Sequence, residues 1–197
     1  MILSLGFLVH MWAFPYPFKN LLFDNLVRLV QLAFGAIIVA ILDERFLMPN
    51  PMALAAGFGV GFACFLFQIF YHKGFRLRRK DLTASYVASQ AIILFFHVPA
   101  EEVLYRGLFF LVLSNLWGSF TAIVLSTALS GMIMVASSRR PVDWIGSVLM
   151  GALCGMGCYY THSLWAPLLI HMANELGGAC LQGVKDLFHR PAEHPSG

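Results

Sequence analysis

Glu101 and Glu102 stand side by side one helical turn before Arg106, in a run that reads Ala91-Ile-Ile-Leu-Phe-Phe-His-Val-Pro-Ala-Glu-Glu-Val-Leu-Tyr-Arg-Gly107. Apolar residues flank the charges on both sides. An ionised group at bilayer depth is costly unless it is paired or faces a wet cavity, so such residues mark function. A second polar island, His171-Met-Ala-Asn-Glu175, lies within the last apolar run. A spacing of four places Glu102 and Arg106 on one helix face, and does the same for His171 and Glu175. His97 and Glu101 share that spacing, with Pro99 in the turn between them. An arginine bonded to one carboxylate leaves the neighbouring one free to take a proton from water as a general base. Two polar islands on separate helices point to one shared cavity, since each offsets the burial of the other.

The elements that position these groups follow from composition. Of the 197 residues, 59% are hydrophobic and 12% charged, with a mean hydropathy of +0.74. A soluble domain carries about a quarter charged residues. Apolar runs near 26–42, 52–71, 84–105, 121–136, 142–160 and 163–183 are long enough to cross a bilayer, judged against about 20 residues per crossing. A shorter run over 2–14 ends at Pro15 and Pro17 and reads as a retained first helix, since it lacks the basic start and cleavage site of a signal peptide. The piece 107–116 continues or caps the helix that carries Glu101. The expectation is an all-α polytopic transmembrane bundle with about seven crossings, between six and eight, in one integral membrane domain over 1–185. Residues 186–197 read as a disordered tail.

Charge orients the bundle. If the loop 71–80 is cytoplasmic, counting crossings puts every lysine and arginine except Arg45 and Arg106 on that side, including Lys19, Arg28, Arg139, Arg140, Lys185 and Arg190. Glu101 and His171 then fall nearer the non-cytoplasmic ends of their helices. No basic run is interleaved with aromatics, which sets nucleic acid aside. Cys64, Cys154, Cys158 and Cys180 lie in apolar runs with no CxxC pair and read as small buried hydrophobes. Gly57/Gly61 and Gly151/Gly155 make faces on which helices approach closely. No phosphate-binding loop, repeat or broken-helix pair occurs, and no cofactor or metal is expected.

Glu101-Glu102-Val-Leu-Tyr-Arg106-Gly107 resembles the EExxxR motif of the CPBP (Abi) family of membrane proteins, which includes the type II CAAX prenyl endopeptidases. Ser163-Leu-Trp-Ala-Pro-Leu-Leu-Ile-His171 is similar to the stretch entering that family's HxxxN motif. The resemblance covers about 84–180. It implies a glutamate-dependent intramembrane protease in a bacterial inner membrane, acting on a membrane-associated or exported polypeptide. Glu101 would activate water, Glu102 and Arg106 would fix its geometry, and His171 would bind the water or stabilise the oxyanion. Two positions depart from the family pattern. Where FxxxH is expected the chain reads Ser130-Gly-Met-Ile-Met134, and Glu175 stands where Asn or Asp is usual, with Asn174 one residue early.

Three readings follow from the resemblance and its departures. In the first, His97, Asn174 and Glu175 are auxiliary groups of a variant protease site. In the second, the chain binds a peptide or membrane partner without cleaving it. In the third, Glu101, Glu102, His171 and Glu175 ligate a metal, which Arg106 beside the carboxylates would oppose.

Overall fold

The computed structural model describes residues 21–71, 83–137 and 141–182, and all regular structure within them is helical. Six helices follow one another: α1 (Leu21–Asp43), α2 (Pro51–Tyr71), α3 (Ala84–Trp117), α4 (Ser119–Ser137), α5 (Pro141–Thr161) and α6 (Trp165–Gln182). They correspond to the six long apolar runs. The run 2–14, the loop 72–80 and the tail 186–197 lie outside the described residues. Asn25–Leu47, Pro51–Tyr71 and Ala84–Trp117 are long and apolar enough to cross a bilayer. α4 is apolar over Ser119–Met132, a shorter stretch. α6 carries His171, Asn174 and Glu175, which interrupt its apolar character.

The outer surface is that of a protein solvated by lipid. Phe58, Phe62, Phe67 and Phe70 of α2 are each more than 60% exposed. Ile41, Phe95, Phe120 and Ile145 stand out from other helices in the same way. A water-soluble chain does not leave apolar surface of this extent uncovered. Helices satisfy their own backbone groups and are the one open-ended structure that lipid tolerates. Hydropathy and this exposed apolar surface together make the chain an integral membrane protein.

Small residues set the distances inside. α2 lies against α6 because a Cβ on Gly57 would come within 2.9 Å of Leu169, and one on Gly61 within 3.0 Å of Ala173. Gly151 and Gly155 do the same for α5, against Ser130 and Ile123 of α4. α1 meets α3 where Gly35 abuts Val103 and Gly107 abuts Val39, at 2.6 and 2.7 Å for the missing Cβ atoms. Dispersion between closely approached backbones holds helices together where lipid removes the hydrophobic drive between them. Val39, Phe46, Val103, Phe110, Ala122, Cys158 and Leu164 form the largest buried apolar cluster.

One end of the bundle is stitched by backbone acceptors. Asn50 accepts from Ala53 N–H at the start of α2 and donates to the Thr161 carbonyl at the end of α5. Ser163 Oγ donates to the Met48 carbonyl and accepts from Trp165 N–H, capping α6. Trp165 Nε1 donates to the Leu47 carbonyl, and Leu164 N–H to that of Phe46. The Ser163-Leu-Trp sequence therefore fixes where α6 begins, and with it the height of His171.

α3 is longer than the run 84–105 alone, because 107–116 continues it without a break until Gly118, whose φ of 83° ends the helix. Glu101 consequently sits near the middle of α3 and not near its end. Two stretches widen to π-helix, Ile93–His97 and Val103–Phe109. The first has a direct cause in Pro99, which has no N–H to give to the carbonyl four residues back and crowds it. The ladder shifts by one residue, so that Val98 N–H bonds the Ile93 carbonyl. Such insertions rotate the side chains that follow, and they recur at functional sites.

Candidate active site

α3 passes through the bundle with its middle turns enclosed, and the paired glutamates end up in different surroundings. Glu102 points inward, with its side chain 2% exposed. Its Oε1 accepts from Arg106 Nη1 at 3.2 Å and lies 2.7 Å from His171 Nδ1. Arg106, also buried, donates through Nη2 to the Gly151 carbonyl of α5 at 3.2 Å, and its guanidinium lies 5.5 Å from the Tyr105 ring centroid. The absence of a side chain at Gly151 is what lets the guanidinium reach that carbonyl, since a Cβ there would stand 3.3 Å from Nη2. Glu102 is thus the hub of a cluster drawn from α3, α5 and α6.

Two atoms of the hub keep unused capacity. Glu102 Oε2 and Arg106 Nε are buried with no hydrogen-bond partner among the described residues. Buried polar atoms are nearly always satisfied, and exceptions collect at working sites.

Glu101 is 34% exposed and ion-paired with Arg28 of α1. One turn before Arg28, Asn25 Oδ1 lies 2.9 Å from His97 Nε2 of α3. A groove of about 490 Å³ opens at Asn25 and is otherwise lined by Ala91, Ile92, Phe95 and Phe96, without Glu101 or Arg28. The second half of the site therefore lies at the α1–α3 seam and is partly open.

His171 joins the two halves of the sequence pattern, since the α6 histidine bonds the α3 glutamate across the bundle. It bonds Glu102 and not Glu101, because the enclosed face of α3 is the one that meets α6. A carboxylate on Nδ1 fixes the ring's orientation and makes the other nitrogen the group that faces chemistry. Asn174 accepts from Gln68 Nε2 of α2 at 2.9 Å, which makes it a tie between α6 and α2. Glu175 is half-buried one turn beyond His171. Met134 lies on α4, in the second half of that helix.

Among the described residues no three His, Cys, Asp or Glu side chains are grouped so as to hold a metal ion. Glu101, Glu102, His171 and Glu175 do not form a ligand set. Arg28 and Arg106 occupy the carboxylates from either side, and a dication would meet two guanidinium groups there. Cys154 and Cys158 are fully buried, and Cys154 Sγ approaches the Pro167 carbonyl at 3.6 Å. Their role is packing, as the apolar runs around them indicate. The side chain of Cys180 lies outside the described residues.

Sequence reasoning missed Arg28, Asn25 and Gln68. It counted Arg28 as one more cation near a membrane face. A better signal was available in α1 itself. Asn25, Arg28, Gln31, Gly35 and Val39 fall on one stripe at helical spacing, and Gln31, Gly35 and Val39 are buried.

Residues 82–177 match the family model for type II CAAX prenyl endopeptidase, Rce1-like. Comparison with curated proteins and with solved structures gives no match. Arg28 and Asn25 lie outside the matched stretch, while Glu101, Glu102, Arg106, His171, Asn174 and Glu175 lie within it. Residues 82–177, in which the EExxxR and histidine motifs are brought together in space, are thus similar to the type II CAAX prenyl endopeptidase Rce1-like family.

Proposed function

We propose that this chain is an intramembrane endopeptidase in which Glu101 activates water to hydrolyse a peptide bond of a membrane-associated or exported polypeptide. The supporting observation is the division of labour between adjacent carboxylates. Glu102 is enclosed and fully engaged at Oε1, whereas Glu101 is a third exposed at the open seam. A general base has to be reached by water, and a positioning group does not. Glu102 and Arg106 hold His171, and His171 orients the water or the substrate carbonyl. In the reaction Glu101 takes a proton from water as the oxygen attacks the carbonyl carbon. The carbonyl electron pair moves to oxygen, then returns as the C–N bond breaks, and the proton passes from Glu101 to the leaving amine.

The basic loops lie on the cytoplasmic side of the membrane, as the distribution of lysine and arginine supports. The test uses the purified full-length chain in detergent micelles and two quenched fluorescent peptides, one prenylated and ending in a CAAX tetrapeptide, the other apolar and unprenylated. Wild type cleaves at least one of them. Glu101→Gln and His171→Ala each abolish cleavage, and EDTA leaves it unchanged. Full cleavage by Glu101→Gln refutes the assignment.

A second reading has its own observation. Arg28 already occupies Glu101, as it would in a chain that binds a peptide carboxylate or carbonyl without cutting it. Saturable peptide binding with both peptides intact after prolonged incubation would establish that reading.

A further inference from the structure

The groove at the α1–α3 seam has one polar residue in an apolar lining. Ala91 stands one turn before Phe95, and Ile92 one turn before Phe96, so the four make two adjoining rows on α3. Of the lining residues Asn25 alone carries a polar side chain. Its Oδ1 lies 2.9 Å from His97 Nε2, and its amide nitrogen has no partner among the described residues. An amide donor left bare in apolar surroundings is costly, so the groove suits an apolar ligand that brings an acceptor. An isoprenoid chain has none. An extended polypeptide has a carbonyl at every residue and side chains on alternate faces.

Size and position fit the same ligand. The volume of about 490 Å³ is about three times that of a cavity that holds one benzene ring, which leaves room for about two or three large side chains. Residues 91–96 lie five to ten positions before Glu101 on the same helix, about 8–15 Å along its axis. An extended chain covers that distance in roughly two to five residues. His97, which meets Asn25, stands one turn before Glu101, so the groove is continuous along α3 with the reactive half of the site. Asn25 lies outside the family-matched residues 82–177, so this polar contact is an addition particular to the chain.

On the reading of Glu101 as the base, we infer that this groove is the subsite for large apolar side chains of an unprenylated polypeptide substrate, and that Asn25 donates to a backbone carbonyl of the same stretch. The groove sets which residues may stand a few positions from the scissile bond, and Asn25 sets the register of the chain above it.

The experiment uses the full-length chain in detergent and dye-labelled unprenylated apolar peptides with one phenylalanine, or alanine in its place, at successive positions. Cut bonds are read by mass spectrometry, and binding without cleavage by fluorescence anisotropy on Glu101→Gln. Wild type is expected to cut about two to five residues from the phenylalanine, with the cut bond moving as the phenylalanine moves. The phenylalanine peptide should exceed the alanine one in kcat/KM by about tenfold or more, as apolar pockets discriminate. Ala91→Phe fills the groove and is expected to abolish that preference, and Phe96→Ala to transfer it to tryptophan. Asn25→Asp keeps an oxygen for His97, removes the N–H donors, and is expected to raise KM about three- to tenfold. A cut bond indifferent to the phenylalanine, or a preference that survives Ala91→Phe, overturns the subsite and leaves the base assignment standing. If Ala91→Phe does not fold, Phe96→Ala decides. Cleavage of the prenylated peptide alone overturns the choice of substrate, and an unchanged KM in Asn25→Asp overturns the role of Asn25. Full activity in Glu101→Gln, or no cleavage by wild type, removes the base assignment, and binding then judges the groove by itself. Tighter binding of the phenylalanine peptide by about tenfold, lost in Ala91→Phe, upholds the groove, and equal binding of the two peptides overturns it.

Discussion

Glu101 and Glu102 are neighbours in sequence with opposite situations. Glu102 sits where α3, α5 and α6 converge, held by Arg106 and by His171. Glu101 sits at the α1–α3 seam, partly open and paired with Arg28. A helix turns about 100° per residue, so adjacent side chains necessarily look in different directions. The consequence is that one motif supplies both a rigid frame and a reachable acid. The frame can be buried because its charges are mutual, and the acid can work because it is not buried.

The comparison breaks most visibly at the frame. Glu102→Ala leaves the Arg106 guanidinium enclosed without its carboxylate, and removing one partner of a buried pair costs about 3–5 kcal/mol. The variant is expected to show a large fall in thermal unfolding midpoint in detergent, together with loss of cleavage. Glu102→Gln keeps an acceptor for His171 but not the charge, so it is expected to fall between the two. If Glu102→Ala unfolds at the wild-type temperature, the frame is not what holds these helices.

Glu101→Gln is the mirror experiment. Its effect is expected on rate, where loss of a general base costs about 10²–10⁴-fold. Its ion pair is partly exposed, and such pairs contribute about 0–1 kcal/mol to stability. Thermal midpoints should therefore stay near wild type while the rate collapses. A Glu101→Gln protein that is both active and destabilised would reverse the roles of the two carboxylates.

The helical class, the six long runs and the two polar islands were legible because each depends on composition or on spacing within one helix. Glu101, Glu102 and Arg106 announce themselves by charge in an apolar run. His171 announces itself by lying in the second such island. Arg28 did not, because its meaning depends on the register between α1 and α3. That register is set by Gly35 against Val103 and Gly107 against Val39, contacts between residues far apart in the chain. The depth of Glu101 was misjudged for a related reason. The run 84–105 reads as one crossing, yet nothing in 107–116 stops the helix, and α3 carries on to Gly118. The bonding of His171 to Glu102 and not to Glu101 likewise depends on which face of α3 meets α6.

The seam itself gives a smaller and more selective effect. Gly35→Ala places a methyl 2.6 Å from Val103 Cγ1, and overpacking of this kind costs about 1–3 kcal/mol. Because the strain is relieved by moving α1 away from α3, cleavage is expected to fall further than stability. Gly59→Ala is the control, since its Cβ would meet nothing within 4 Å. A Gly35→Ala protein with an unchanged rate would show that α1 does not set the reactive half of the site.

The smallest effect separates scaffold from site on α6. Asn174 lies three residues after His171 and accepts from Gln68 of α2, in a seam already closed by Gly57 and Gly61. Hydrogen bonds between membrane helices average about 0.6 kcal/mol in double-mutant cycles. Asn174→Ala and Gln68→Ala are each expected to lower the thermal midpoint by a small and similar amount, and the double variant to lose no more than either alone. That non-additivity is the mark of a single shared bond. If Asn174 only fixes α6 against α2, all three variants keep the same rate, because His171 remains anchored through Glu102. A rate that falls in Asn174→Ala but not in Gln68→Ala would instead put the amide in contact with the substrate, and would draw the boundary of the reactive half one turn further along α6.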